Sequence, residues 1–136
     1  MNPSHSDLRI VLVTPETTLL DEQVDALRFP LYDGQIGIFP RRAPLVGRLG
    51  SGELRVTTGK GVTSYFIDGG FVQVKGNVVS LLTDSAQLTS TLDPRKAEDD
   101  LQGVQSRHSR NDAEFAVKDA DLERFRHKLA LARKAK

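Results

Sequence analysis

The chain has 136 residues, of which 19 are basic and 18 acidic, and it contains no cysteine. The lack of cysteine excludes a disulfide scaffold, a thiolate metal site and a cysteine nucleophile. A formal net charge of +1 argues against a strong electrostatic field for nucleic acid or acidic lipid. No apolar run approaches the roughly 20 residues that span a bilayer, and the first residues lack the apolar centre of a signal peptide. We therefore expect no direct membrane insertion.

Residues 8–92 show the pattern of an all-β domain. Short apolar runs alternate with turn signals at a spacing of roughly 8–12 residues, which is typical of a sandwich or barrel. Segments 8–13 and 23–30 are predicted strands. We expect one hairpin that turns at residues 59–61 and a second that turns at 76–77, because both turns contain glycine, which adopts the positive φ of tight reversals.

Glycine placement and side-chain alternation add detail to this domain. Segments 47–52 and 68–70 are rich in glycine, and we predict a turn at each. Val72 and Val74 share one face of the second hairpin, so both valines are expected to point into the core. No helical period is long enough for a crossover between parallel strands, which excludes the nucleotide-binding α/β folds.

The composition changes after residue 92, where strand formers give way to Ala, Leu, Glu, Arg and Lys. Asp93 followed by Pro94 is typical of a helix start, with an acceptor side chain at the N-cap and proline in the first turn. Ala97, Leu101 and Val104 then form a narrow apolar stripe. These features predict a first, short helix.

A second, longer helix follows a polar reversal at residues 106–112, with Asn111 or Asp112 as its N-cap. Its apolar residues repeat at spacings of seven, three, four and three residues. They form one predicted seam, made of Phe115, Leu122, Phe125, Leu129 and Ala132. The predicted fold class is thus a β sandwich (an all-β N-terminal domain) in residues 1–92, followed by a C-terminal α-helical hairpin in residues 93–136.

A search for catalytic or metal-binding patterns finds none. The three histidines are far apart and none belongs to an HExxH motif. No serine occupies a GxSxG elbow. Segment 47–52 lacks the lysine and the hydroxyl residue of a phosphate-binding loop. These patterns do not exclude an enzyme, but no constellation of residues argues for one, and we expect no metal and no cofactor.

The C-terminal end is strongly basic, and its function is open to two interpretations. After Leu122 there is one carboxylate, Glu123, against six cations: Arg124, Arg126, Lys128, Arg133, Lys134 and Lys136. One interpretation is a solvated helix face that also complements the negative end of the helix dipole. The other is a basic surface that meets an acidic partner protein.

One stretch resembles a known family. Segment 33–56 reads DGQIGIFPRRAPLVGRLGSGELRV and resembles the N-terminal domain of the epsilon subunit of F-type ATP synthase, where the pattern is DGxIGIxPxHAPLL, a glycine turn and LRV. Supporting matches occur in order at 13–16 (VTPE), 69–74 (GGFVQV), 77–79 (NVV) and 82–86 (LTDSA). The resemblance covers about residues 8–97. It implies a β sandwich followed by two antiparallel helices, without a catalytic centre.

The family resemblance also implies partners. It implies a central-stalk subunit that binds the gamma subunit, contacts the c subunits of the rotor ring and couples a proton- or sodium-translocating ring to the catalytic head. It further implies that the helices contact the catalytic beta subunit and inhibit ATP hydrolysis. The expected location is peripheral, on the cytoplasmic face of a bacterial inner membrane or, alternatively, on the stromal face of a plastid thylakoid.

Site residues follow from the same resemblance. The implied ring contact comprises Asp33, Gly34, Gln35, Arg42, Ala43, Pro44 and Leu45. The implied regulatory helix uses Phe115, Leu122, Arg124, Phe125, Arg126, Lys128 and Leu129. Arg41-Arg42 departs from the usual Gly-His of the family.

A nucleotide-sensing pattern of some members, LDxxRA, is degenerate in this chain. It retains Asp93 but has Lys96 in place of the arginine. Because lysine lacks the planar fork that binds phosphate through two hydrogen bonds, we expect weak or absent ATP binding.

Two other function classes fit the composition less well. A stand-alone β-sandwich binding module with a basic helical tail, for example one for carbohydrate, would usually present aromatic platforms, whereas the few aromatics here are scattered and tryptophan is absent. A nucleic-acid binder would need more net positive charge or a stacking motif.

Overall fold

The computed structural model describes residues 8–32, 34–38 and 45–135. The chain divides into two compact units, Met1–Gln87 and Leu88–Lys136. In the part of the chain that the model describes, no helix is long and apolar enough to cross a membrane.

The first unit is built from strands that form one continuous sheet folded into a β sandwich. The strands are β1 (Arg9–Val13), β2 (Thr18–Gln23), β3 (Ala26–Leu31), β4 (Gly34–Ile38), β5 (Leu45–Thr58), β6 (Gly61–Lys75), β7 (Val78–Leu82) and β8 (Ala86–Leu88). Their order is β2-β1-β7-β6-β5-β3-β4, with β8 paired to β6. The β1–β7 pair is parallel, and the other pairs of defined register are antiparallel. The predicted β sandwich is confirmed.

The core lies between the two layers and is supplied by alternate residues of each strand. Val72 and Val74 of β6 are buried, as their alternation predicts, and β7 contributes Val79 and Leu81 opposite them. Phe29 of β3 belongs to the same cluster. Because the strand period is two residues, every buried position fixes an outward position beside it.

Two long strands connect the layers. β5 has 14 residues and β6 has 15, so each extends roughly 45 Å. The predicted turns at 47–52 and 68–70 are wrong, since both segments lie inside these strands. Gly69 and Gly70 adopt φ of 75° and 117°. Their freedom lets β6 bend from one layer to the other without reversing direction.

The remaining strand predictions are partly confirmed. Both hairpin turns occur where expected, between β5 and β6 and between β6 and β7. The strand predicted at 23–30 is displaced and appears as β3, Ala26–Leu31. The sequence prediction missed β2, an edge strand whose residues are almost all exposed. Its polar sequence lacks the alternation that marks a half-buried strand.

The second unit contains a 3₁₀ turn, Thr89–Thr91, and two helices, α1 (Pro94–Gln105) and α2 (Asp112–Ala135). The helices pack as a hairpin, which confirms the predicted architecture. Asp93 caps α1, because its carboxylate accepts a hydrogen bond of 3.0 Å from the Arg95 N–H. The Asn111 side chain accepts one of 2.9 Å from the Glu114 N–H and caps α2.

Gly70 is the glycine that the bend requires most strictly. A Cβ at this position would lie 1.9 Å from the Leu82 carbonyl oxygen, and φ is positive. We expect Gly70→Ala to lower the free energy of unfolding by about 2–4 kcal/mol, because backbone must move to relieve the overlap. Urea unfolding of the whole chain measures this change in the free energy of unfolding. Gly59→Ala is the control, because a Cβ at residue 59 meets nothing within 4 Å. It should change the free energy of unfolding by less than about 0.5 kcal/mol. Equal changes in the two variants would contradict the explanation.

Tyr65 provides a pH-dependent prediction. Burial raises the pKa of its phenol above the usual 10.0, and the nearby Glu22 carboxylate raises the pKa further. The folded state therefore favours the neutral phenol. The contribution of Tyr65 to the free energy of unfolding is complete below pH 10 and is lost as the pH rises through the pKa of the folded state. We expect a decline in the free energy of unfolding above pH 10 that is shallower in Tyr65→Phe. Identical slopes in the wild type and Tyr65→Phe would refute this.

Candidate functional site

The sandwich presents an apolar surface on the outward side of β1, β7, β6 and β5. We call this surface the outer face. One cross-strand row joins Val13, Leu82, Phe71 and Arg48, which lie opposite one another in the strand register. The next row joins Val11, Ser80, Gln73 and Val46, and a third joins Arg9, Val78 and Lys75.

The outer face is unusually apolar for solvent-facing sheet. Phe71 is 58% exposed, Leu82 is 55% exposed and Val46 is 76% exposed. Phe71 and Leu82 are direct cross-strand neighbours, so their exposed areas form one patch. An outward sheet surface in contact with water normally carries polar residues. Contiguous exposed apolar patches are a feature of binding surfaces, so the outer face is the candidate binding surface of the sandwich.

Arg48 stands at one end of the first row and is held in place by Tyr32. The guanidinium carbon lies 4.5 Å from the centroid of the Tyr32 ring, which is a cation–π distance. The Tyr32 N–H also donates a hydrogen bond of 2.9 Å to the Arg48 carbonyl oxygen. Arg48 is the cross-strand neighbour of Phe71 in the register, and its guanidinium is held over the Tyr32 ring, on the β3 side of β5.

The residues predicted for the rotor-ring contact fall partly beyond what the structure describes. Asp33, Arg42, Ala43 and Pro44 lie outside the described residues. Gly34 and Gln35 begin β4, an edge strand that pairs with β3. Leu45 begins β5 and packs against the core of the sandwich.

The predicted regulatory residues lie on α2, and only some of them face α1. Leu129 is buried, and Leu122 and Phe125 are half-buried. Phe115 is 56% exposed, so the predicted seam is not buried at its first residue.

The reason for the exposure of Phe115 is the length of α1. Arg133 approaches Glu98 at 3.8 Å, and Arg107, just beyond the end of α1, pairs with Asp121 at 2.7 Å. These contacts place α1 beside residues 121–133 of α2. The first turns of α2 extend past the end of α1, and the seam has no partner helix there.

Polar contacts hold the inter-helix loop to α2. Both Arg107 and Arg124 pair with the Asp121 carboxylate, at 2.7 and 3.3 Å. The Lys118 ammonium donates to the Arg107 carbonyl oxygen at 2.8 Å. Of the other predicted basic residues, Arg126 is exposed and Lys128 is half-buried. Basic side chains thus line α2 on either side of the seam.

The two degenerate nucleotide-sensing residues lie on the first turn of the hairpin, at the start of α1. Asp93 uses its carboxylate to cap α1, and Lys96 is exposed. A shallow pocket at the hairpin turn is lined by Arg107, His108, Ala113, Glu114 and Val117, and includes neither residue. Within the described ranges, no group of three or more His, Asp or Glu side chains could hold a metal ion.

The sequence pattern did not single out Phe71, Leu82, Val46 and Arg48 as surface residues of interest. A signal was present, because assigning Val72 and Val74 to the core places Phe71 on the opposite face. The cross-strand alignment with Leu82 and Arg48 was not readable without the register.

The comparisons with known proteins point to the same family over most of the chain. The protein-family model for the ATP synthase delta/epsilon chain β-sandwich domain matches residues 7–89. An ATP synthase epsilon chain from Rhodopirellula baltica is 40% identical over 93% of this chain and 98% of its own length. The epsilon chain from Desulforamulus reducens is 33% identical over 84% of this chain and 86% of its own length.

Solved structures support the same assignment. A chain in the mitochondrial ATP synthase OSCP/F1/c-ring structure of Euglena gracilis superposes with a TM-score of 0.82 and 25% identity, over 96% of this chain and 82% of that chain. A chain in the Tetrahymena thermophila central stalk/c-ring structure, 13% identical, shares the fold with a TM-score of 0.74, over 95% of this chain and 98% of its own. Since the family model covers more than half of the residues and the relatives match nearly end to end, the chain belongs to the ATP synthase delta/epsilon chain family.

Proposed function

We propose that this chain is the epsilon subunit of an F-type ATP synthase, a non-catalytic subunit of the central stalk. In this role it couples a proton- or sodium-translocating membrane ring to the catalytic head, together with the gamma subunit. The observation that carries the proposal is the 40% identity to an ATP synthase epsilon chain over 93% of this chain and 98% of that one. The Euglena gracilis comparison adds a relative in a complex with F1 and a c-ring.

The sandwich suits a subunit that transmits torque. Close-packed interiors resist deformation, and this core extends through both layers of one continuous sheet. The exposed patch around Phe71 and Leu82 gives the sandwich a surface for a stalk partner. We propose that the gamma subunit covers the outer face.

The second proposed contact is with the c subunits of the ring. The residues proposed for it are those of the family pattern: Asp33, Gly34, Gln35, Arg42, Ala43, Pro44 and Leu45. Arg42 adds a cation to this segment, so the contact differs in charge from that of relatives with histidine there.

The helical hairpin is the proposed regulatory element, acting on the catalytic beta subunit. Few side chains of the two helices are buried: Ala97, Val104, Leu129 and Ala132. Exposed or half-buried ion pairs supply much of the remaining contact, and such pairs contribute little individually. A hairpin held this weakly can exchange packings that differ by a few kcal/mol. The basic surface of Arg124, Arg126 and Lys128 is suited to an acidic segment of the beta subunit.

We further propose that this subunit binds ATP weakly or not at all. Asp93 is engaged as a helix cap, and Lys96 lacks the fork that grips phosphate. The proposed location is peripheral, on the cytoplasmic face of a bacterial inner membrane. The stromal face of a plastid thylakoid is the alternative, since a chloroplastic epsilon chain from Oltmannsiellopsis viridis is 36% identical over 68% of this chain and 70% of its own length.

The gamma contact can be tested at Phe71. We expect Phe71→Asp to weaken binding to the gamma subunit of the same complex at least tenfold, because a carboxylate would be buried where an aromatic ring now offers apolar area. Isothermal titration calorimetry measures the affinity. Val62→Asp is the matched control, since Val62 is an exposed valine of β6 outside the outer face. Unchanged affinity in Phe71→Asp would place the gamma contact elsewhere.

The regulatory role can be tested in the assembled complex. Truncation after residue 92 should leave assembly intact and raise the rate of ATP hydrolysis, since the inhibitory helices are removed. Reversing the charges of Arg124, Arg126 and Lys128 together should mimic truncation if the partner segment is acidic. Arg95→Glu, an exposed cation of α1, is the control. A hydrolysis rate that does not change on truncation would show that the hairpin does not inhibit.

A further inference from the structure

The outer face has an unbalanced charge. Its three basic side chains are Arg9, Arg48 and Lys75. Arg9 is satisfied, because its Nε donates to the Asp21 carboxylate of β2 at 2.6 Å. Neither Arg48 nor Lys75 pairs with any carboxylate of the described residues. Among the residues that the structure describes, the outer face therefore has two cations without a paired carboxylate.

Arg48 is more preorganised for binding than Lys75. The Tyr32 ring, 4.5 Å away, restricts its guanidinium, and the backbone hydrogen bond between the two residues fixes their spacing. A side chain that is already restricted loses less entropy when a partner binds. Its planar fork also matches a carboxylate through two parallel hydrogen bonds, which a lysine ammonium cannot do.

Covering the patch has an electrostatic consequence. A partner that packs on Phe71 and Leu82 and continues along the same row over β5 also removes water from Arg48. Removing water from a charge without providing a partner for it is strongly unfavourable. Favourable binding thus requires that the partner place a hydrogen-bond acceptor opposite the Arg48 guanidinium.

We infer that the outer face selects a partner protein surface in which an Asp or Glu carboxylate, set beside apolar residues, pairs with Arg48. This inference rests on the proposed function, and it assigns that chemistry to the surface of the gamma subunit. Arg48 is then a specificity-determining residue of the contact, while Phe71 and Leu82 supply the apolar area. Lys75, on the same face, adds a longer-range attraction for the same acidic surface.

Other occupants fit the outer face less well. A second copy related by two-fold symmetry would bring the same cations to both sides of the contact, with no unpaired carboxylate of the outer face to meet them. Nucleic acid is disfavoured because two unpaired cations and a net charge of +1 supply few phosphate contacts. The charge pattern thus allows an apolar surface to remain exposed without promoting self-association.

The test compares Arg48→Ala, Arg48→Lys and Arg48→Glu with the wild type in calorimetric titrations of the gamma subunit at two salt concentrations. We expect about a tenfold loss of affinity for Arg48→Ala, a smaller loss for Arg48→Lys and a larger one for Arg48→Glu. The salt dependence of the affinity should be weaker in Arg48→Ala than in the wild type. Arg28→Ala, an exposed cation of β3 outside the outer face, should match the wild type.

A double-mutant cycle identifies the partner group. Each Asp and Glu of the gamma surface is changed to Ala in combination with Arg48→Ala, and one of them should show a coupling energy. Sedimentation of the same variants reports self-association, and a dimer of the wild-type chain through this face would overturn the inference in favour of a second copy.

The failure of this inference is distinguishable from failure of the proposed function. If Phe71→Asp weakens gamma binding and Arg48→Ala does not, the contact stands and the role of Arg48 is refuted. If Arg48→Glu binds more tightly than the wild type, the partner is basic and the inference is wrong. If neither Phe71 nor Arg48 variants change the affinity, gamma does not bind the outer face, and both claims about this face fail.

Discussion

The structure depends on the passage of β5 and β6 through both layers of one sheet. Because a strand alternates its side chains between two faces, burying Val72 and Val74 forces Phe71 outward. The bend at Gly69-Gly70 sets the position of β6 against β7, where backbone of Leu82 leaves no room for a side chain at residue 70. This close approach fixes the register between β6 and β7. The register in turn determines which side chains lie together on the outer face.

The two units differ in what holds them together. The sandwich closes an apolar cluster drawn from β1, β3, β5, β6 and β7. The hairpin buries few side chains and relies on caps at Asp93 and Asn111 and on ion pairs that converge on Asp121. Stability is not uniform across a protein, and elements with few buried apolar contacts open at the lowest cost. A stiff body and a labile hairpin are what the proposed role, a stalk subunit with a regulatory arm, requires.

Surface charge gives the apolar outer face its selectivity. Exposed aromatic and aliphatic side chains attract many surfaces, including a second copy of the same chain. Arg48, held by Tyr32 and not paired with a carboxylate of the described residues, makes only an acidic partner favourable once water is removed. The apolar area supplies affinity, and the Arg48 cation determines which partner surface binds.

The sequence by itself determined the local structure and the family. Period-two alternation identified the inward valines, glycine identified the two hairpin turns, and Asp93 and the pair Asn111-Asp112 marked the helix starts, because each signal acts within a few residues. Only the tertiary structure decided that 47–52 and 68–70 bend strands instead of ending them, and that Phe115 lies beyond α1. It also brought Arg48, Phe71 and Leu82 into one row. Strand register and helix overlap arise from contacts between distant segments, which no local pattern encodes.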